Sequence, residues 1–274
     1  MPASPSRIVL LTGAAGGIGA VMAEALLAAG HAVAAVDRDA AGLDRLAALP
    51  GARGRLKAIT ANLASEAGCV QAVDAAQQRL GAIDAVVNNA GIGMSSVRPD
   101  AEARHPTIEE LSPKVYDRFL AIFVRAPAAL VRAALPGMKA RGFGRIVNNT
   151  TSYLTMLRVM PYGAAKAALE SMSAVWASEL ASSGVTVNVL VPGGPTDTPM
   201  ISDASGWPRE KMLRPRIMGP PIVWLMSDEA NGVTGRRITA ARWDTALAPA
   251  AAAERAGRAI GWPELGADAV WLQG

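Results

Sequence analysis

Tyr162 and Lys166 stand four residues apart in RVMPYGAAKAALESM, residues 158–172. Residues i and i+4 share a helix face, so a helix begun here projects a phenol and an ammonium together. A free tyrosine has a pKa of about 10, poorly matched to proton transfer at neutral pH. A neighbouring cation favours the tyrosinate and would lower that value, so that the phenol trades a proton with an organic oxygen. Taken alone, the spacing equally describes a solvated pair on an ordinary helix surface.

A second group of residues has the form of an anion site. In TGAAGGIG, residues 12–19, Gly13, Gly17 and Gly19 follow a G-x3-G-x-G spacing rather than the commoner G-x-G-x-x-G. Such glycines serve a tight turn, a close backbone approach to a pyrophosphate and close packing of helix on strand. A helix starting near Ile18 would aim its first N–H groups at the anion. A glycine turn without a ligand is the plainer alternative, but the position between an apolar strand and an amphipathic helix favours a dinucleotide. Asp37 ends the next strand, where a carboxylate accepts hydrogen bonds from both adenosine ribose hydroxyls and repels a 2′-phosphate. That favours NAD. NADP stays possible, because Arg38 offers a guanidinium to a phosphate, and the DRD run also suits Asp37 as a turn or helix cap.

These residues need elements to hold them. Short apolar runs predict strands at 7–12, 31–37, 55–60, 83–89, 144–150, 185–191 and 236–242. Helical periodicity falls between them, from about Ile18 to Ala29, then at 40–49, 65–80, 112–140, 162–182 and 222–230. Gly30, Pro50 and Gly81 are placed as stops, and Pro127 should kink the long helix. Such alternation specifies an α/β, Rossmann-like, doubly wound parallel sheet with helices on both faces, a three-layer αβα sandwich. Residues 193–221, rich in Pro, Gly and Met, read as an irregular segment covering a site. Residues 1–244 thus form one domain that includes this substrate loop. The tail 245–274 is expected as an arm or an oligomer contact.

Composition removes other classes. The chain has 274 residues, 51% hydrophobic and 18% charged, enough for a large core. Its net charge of +4 is scattered, which argues against a nucleic-acid surface. The most apolar stretch, 119–135, is broken by Arg125, Pro127 and Arg132, which argues against a membrane span. The start of the chain shows no cleavage pattern of a signal peptide, and the single cysteine, Cys69, reads as a small buried residue in a reducing compartment. A cytoplasmic protein is expected. Two histidines, His31 and His105, are too few and too far apart for a zinc site or a Ser-His-Asp triad, so no metal is expected.

Together, TGAAGGIG at 12–19, NNAG at 88–91, YGAAK at 162–166, PGG at 192–194 with DTPM at 197–200, and VTG at 233–235 resemble the short-chain dehydrogenase/reductase family over about residues 7–240. The resemblance implies hydride transfer between a nicotinamide cofactor and a small alcohol or ketone, with Tyr162 exchanging the proton and Lys166 holding the nicotinamide ribose. It implies that Gly13, Gly17, Ile18 and Gly19 cradle the phosphates and that Asn62 and Leu63 flank the adenine, although the family more often has Asp at position 62. Asn89, Ala90 and Gly91 would line the adenosine side, and Pro192, Gly193 and Thr198 the nicotinamide. It implies a homo-oligomer, dimer or tetramer, built on the helix that begins near Tyr162, where Leu169, Met172, Val175, Trp176 and Leu180 serve as core or interface.

Two departures stand out. The hydroxyl that polarises the substrate oxygen falls on Thr151 or its neighbour Ser152, with a shortened loop before Tyr162. Phe123 stands where the family usually has an asparagine that kinks its helix and anchors a proton relay. These departures motivate a rival reading, a cofactor-binding sensor or scaffold impaired in turnover. Met94, Leu154, Met156, Met160, Met200 and Trp207 suggest an apolar, adaptable mouth and equally fit plain core.

Overall fold

The structure is a computed structural model and describes residues 5–266. The chain opens with β1 (Ile8–Thr12), α1 (Gly17–Ala28), β2 (Ala32–Asp37), α2 (Ala40–Ala47), β3 (Leu56–Thr60), α3 (Glu66–Leu80) and β4 (Ala85–Asn88). It continues through α4 (Pro113–Leu120), α5 (Ala126–Arg141), β5 (Gly144–Asn148), the single turn α6 (Tyr153–Met156), α7 (Tyr162–Glu179) and β6 (Val185–Val191). It ends with α8 (Gly219–Met226), β7 (Arg236–Thr239), α9 (Pro249–Ala256), β8 (Gly257–Ala259) and α10 (Pro263–Gly266). The eight strands form one sheet in the order β3-β2-β1-β4-β5-β6-β7-β8. Seven run parallel, and β8 is antiparallel to β7. This is the doubly wound α/β arrangement the alternation predicts. The winding reverses between β1 and β4, and such a reversal opens a crevice at the carboxyl ends of the strands.

Successive strand residues face opposite layers, so each strand serves two cores. Val9 and Leu11 of β1 pack with Met22, Leu26, Ile222 and Trp224 on one side. Leu10 packs with Val73, Leu130, Met138 and Ile146 on the other. Cys69 lies in this second layer, fully buried. Burial and the charge of Glu66 push its thiol up to about 11, which keeps it an inert apolar group.

The long helix differs from expectation in an instructive way. Pro127 has no N–H to give the carbonyl four residues back, and one π-helical turn, Ala121–Arg125, separates α4 from α5. By length and hydropathy the run Pro113–Arg141 would pass as a membrane span. That corrects the expectation that no segment is apolar enough. Its apolar residues Phe119, Phe123, Leu130 and Met138 are buried inside the domain instead. The helix expected at 222–230 starts earlier, at Gly219, because Pro220 and Pro221 occupy first-turn positions where no N–H is needed.

Residues 245–266 do not stand off as an arm. Ala252, Ala253 and Ala256 of α9 are buried, small enough for a close approach to the layer that holds α8, and β8 then covers the β7 edge. Residues 267–274 of the expected tail lie outside the described residues. Of the α7 residues expected in core or interface, Leu169 and Leu180 are buried in the core, Met172 and Trp176 are half-buried, and Val175 is exposed.

Leu130 is 1% exposed between α5 and the sheet. Leu130→Ala should lower unfolding free energy by about 2–5 kcal/mol in urea. A loss under about 1 kcal/mol would show this layer to be loosely packed.

Candidate active site

The predicted site residues gather at the carboxyl edge of the sheet because each follows a parallel strand. Thr12 ties the two central strand ends across the crevice. Its hydroxyl donates to the Val87 carbonyl at 3.2 Å and accepts from the N–H groups of Asn89 and Ala90, both at 3.0 Å. The Asn89 amide donates to the carbonyls of Thr12 and Gly13 at 3.1 and 3.2 Å, which fixes the glycine turn to β4. Gly13 takes φ +64°, and a Cβ there would lie 2.7 Å from the Ala90 Cα. A Cβ on Gly19 would lie 1.8 Å from the Gly13 carbonyl oxygen, so helix α1 approaches its strand only because position 19 carries no side chain. Gly16, the residue before α1, is exposed, and a Cβ on it would meet nothing within 4 Å. A free space before a helix N-terminus fits an anion, so the turn fits a dinucleotide's phosphates. Ile18 is half-buried against the core on α1.

Asp37, at the end of β2, accepts from the Ala15 N–H at 3.0 Å and the Asp39 N–H at 3.1 Å. It therefore caps two turns, the plainer of its two expected uses, and is still only partly buried. Asn62 is exposed and folds back on the Ala64 N–H at 3.0 Å. The Leu63 side chain is committed to the core beneath α3. Pro192 accepts from the Ala241 N–H at 3.0 Å, and Gly193 follows in an exposed turn. The covering segment folds down onto the same edge. Thr198 packs on Gly17, and Met200 reaches Gly91 and Gly93. Arg209 holds this segment in place by donating to the carbonyls of Thr198 and Ile201 at 3.1 and 2.7 Å while pairing with Asp197.

Tyr162 and Lys166 open α7. The helix is fastened to the sheet by a buried polar chain absent from the sequence reading. Asn88 on β4 donates to Asn148 on β5 at 2.8 Å, Asn148 donates to Ser173 at 2.8 Å, and Ser173 donates to the Leu169 carbonyl at 2.6 Å. Matched asparagines at two strand ends, in NNAG and GRIVNN, were the available signal. Lys166 is 4% exposed and donates to the Asn149 carbonyl at 2.6 Å. Its ammonium also sits 4.3 Å over the Phe123 ring and 5.7 Å from the Tyr162 ring centre. Phe123 meets Tyr162 edge to face at 5.3 Å. The position expected to carry a relay thus holds an aromatic wall, which attracts a cation through its π face.

The two hydroxyl candidates separate. Ser152 caps the turn α6, accepting from the Thr155 N–H at 3.1 Å. Thr151 is the hydroxyl beside the Tyr162 phenol. Tyr162 is half-buried as a residue, and its phenol is closely surrounded by protein. Burial pushes that phenol up to about 12, with the Thr151 hydroxyl pulling the other way. Burial alone pushes Lys166 down to about 7. In the chain without a cofactor, burial sets the direction for both groups, opposite to the lowering of the phenol expected from the ammonium together with an oxidised nicotinamide. Of the residues expected at the mouth, Met94 and Met156 are buried, whereas Leu154, Met160, Met200 and Trp207 remain exposed. Among the described residues no group of three or more His, Cys, Asp or Glu has the placement to hold a metal.

Residues 7–209 match the profile of the short chain dehydrogenase family. The chain belongs to that family. A relative, 2-(S)-hydroxypropyl-CoM dehydrogenase 3 of Xanthobacter autotrophicus, is 30% identical over 248 residues, 84% of this chain and 93% of the relative. Among solved structures, 3-ketoacyl-(acyl-carrier-protein) reductase of Brucella melitensis complexed with NADH has a TM-score of 0.70 at 29% identity, covering 83% of this chain and 93% of that one. A blue fluorescent protein from a metagenomic library, in complex with NADPH, has a TM-score of 0.71 at 30% identity over 83% of this chain and 93% of that one. This chain keeps the glycine turn and the tyrosine–lysine pair, and the rival reading of a protein without turnover finds no support in these likenesses.

The low Lys166 value has a thermodynamic consequence. Unfolding takes up protons between about 7 and the ordinary 10.5, so stability rises with pH across that window. With no cofactor added, wild type should gain on Lys166→Met by up to about 1.4 kcal/mol per pH unit between roughly pH 7 and 9, read from urea unfolding. A difference independent of pH would mean that the ammonium is solvated.

Proposed function

We propose that this chain is an NAD-dependent oxidoreductase of small alcohols and ketones, with Tyr162 exchanging the proton at the substrate oxygen. The observation that carries the reading is the deep phenol of Tyr162 with the Thr151 hydroxyl beside it and the Lys166 ammonium one helical turn on. Thr151 donates a hydrogen bond to the substrate oxygen and Tyr162 delivers the proton to it. A phenol near 12 keeps its proton at neutral pH, which suits it to meet the alkoxide that a reduced carbonyl becomes. Phe123 and the Asn149 carbonyl fix Lys166 where it can hold the nicotinamide ribose.

When bound, the nicotinamide cofactor supplies or accepts the hydride. Gly13, Gly17, Ile18 and Gly19 hold its phosphates, and Asp37 turns its remaining lone pairs to the ribose. Asn62 and Leu63 border the adenine, Asn89, Ala90 and Gly91 the adenosine side, and Pro192, Gly193 and Thr198 the nicotinamide. NADP remains the alternative wherever Arg38 takes a phosphate. The exposed Leu154, Met160, Met200 and Trp207 favour substrates with an apolar body. The buried, protonated thiol of Cys69 suits a cytoplasmic setting, and exposed Val175 on α7 suits a homo-oligomer.

Tyr162→Phe should keep NADH binding and lose about 10²- to 10⁴-fold in ketone reduction. Reduction at the wild-type rate by a folded variant would remove Tyr162 from the chemistry. Separate titrations of NADH and NADPH, followed by nicotinamide fluorescence, should favour NADH by about tenfold or more, since Asp37 repels a 2′-phosphate. Tighter NADPH binding would overturn the role given to Asp37.

A further inference from the structure

A second buried charge cluster lies directly behind Thr151. Arg237 of β7 and Glu170 of α7 form an ion pair at 2.5 Å, with side chains 4% and 0% exposed. The Arg237 guanidinium also donates to the Thr150 hydroxyl at 3.0 Å and to the Thr151 carbonyl. Thr150 donates to Glu170 at 2.7 Å. The other Glu170 oxygen accepts from the Gly261 N–H at 3.2 Å and lies 3.4 Å from the Tyr153 hydroxyl. That hydroxyl donates to the Gly261 carbonyl at 2.8 Å, and the Tyr153 ring lies under Arg237 at 4.2 Å and beside Trp262 at 5.7 Å.

Burying an ion pair gains little net stability against apolar residues of similar volume, so this pair is not explained by stability alone. What it specifies is position. One planar guanidinium grips two consecutive residues at the end of β5, where the active-site hydroxyl emerges, and a bidentate fork fixes direction as well as distance. The segment after β8 closes the cluster, because Gly261 supplies the last donor to Glu170.

We propose that Arg237 and Glu170 are positioning residues for Thr151, and that the C-terminal segment at Gly261 seals them. This rests on the role given to Thr151 above. Thr151 contacts the reacting atoms, whereas Arg237 acts through the Thr151 carbonyl and Glu170 acts through Arg237 and Thr150.

Arg237→Lys keeps the charge opposite Glu170 and cannot reach Thr150, Thr151 and Glu170 together. In the full chain, kcat should fall about tenfold while the NADH Kd stays within about twofold. In a Thr151→Ala background the same change should cost little more, because the group it positions is gone. Hydrogen exchange without cofactor should rise about tenfold across residues 149–157 and stay unchanged in the glycine turn 12–19. Tyr153→Phe, a milder change at the seal, should raise exchange in the same residues. Unchanged exchange at 149–157 in both variants would overturn the proposal, as would a penalty that multiplies in full in the Thr151→Ala background. The exchange readout is independent of turnover, so Tyr162→Phe with full activity would sink the proton-donor reading and leave this one standing on its own data.

Discussion

The site depends on one unusual circumstance, a lysine ammonium buried without a carboxylate. Lys166 makes a hydrogen bond to one backbone carbonyl and lies over one aromatic face. Glu170, one turn on along the same helix, is the nearest carboxylate in sequence on that face. Arg237 claims it, and among the described residues Lys166 has no acidic partner within salt-bridge distance. An ammonium paired with a carboxylate would be locked in its charged form. Held only by a carbonyl and a ring, it is free to respond to whatever charge enters the crevice. The fold thus keeps two buried cations, Lys166 and Arg237, near one fully buried acid, and Glu170 pairs with Arg237 alone.

The placement follows from the sheet. The parallel strands deliver Thr12, Asp37, Asn89, Thr151 and Pro192 to one edge, and the reversal between β1 and β4 opens the crevice among them. Helix α7 must present Tyr162 and Lys166 to that crevice at a fixed height. The asparagine–serine chain from β4 through β5 to Ser173 sets the height, since every link is buried and in hydrogen-bond contact. Such a chain is costly when half satisfied, so a slip of α7 along its axis would break links that water cannot replace.

Much of this was legible in residue order. Strand runs stopped by glycine or proline and helices with one apolar face located the parallel strands, because local periodicity reports which face is buried. The glycine turn and the tyrosine–lysine spacing are local too. What escaped was set by tertiary packing. RRIT at 236–239 reads as an exposed-looking strand, and nothing local says that Arg237 turns inward to Glu170. The alanines at 250–253 look featureless until α8 provides a layer for them. Thr151 and Ser152 are equivalent as letters, and they separate only because Ser152 is used by the turn that follows.

Phe123 shows how a departure in sequence need not empty a site. Its ring is 1% exposed and touches both catalytic candidates, standing nearly perpendicular to the Tyr162 ring and turning its face toward Lys166. An aromatic there excludes water from the pair, and exclusion of water raises the phenol and lowers the ammonium together. The face of the ring then returns part of what desolvation takes from the cation. A phenol raised in this way holds its proton at neutral pH, and a lysine lowered in this way sheds its charge more easily, until charge enters the crevice.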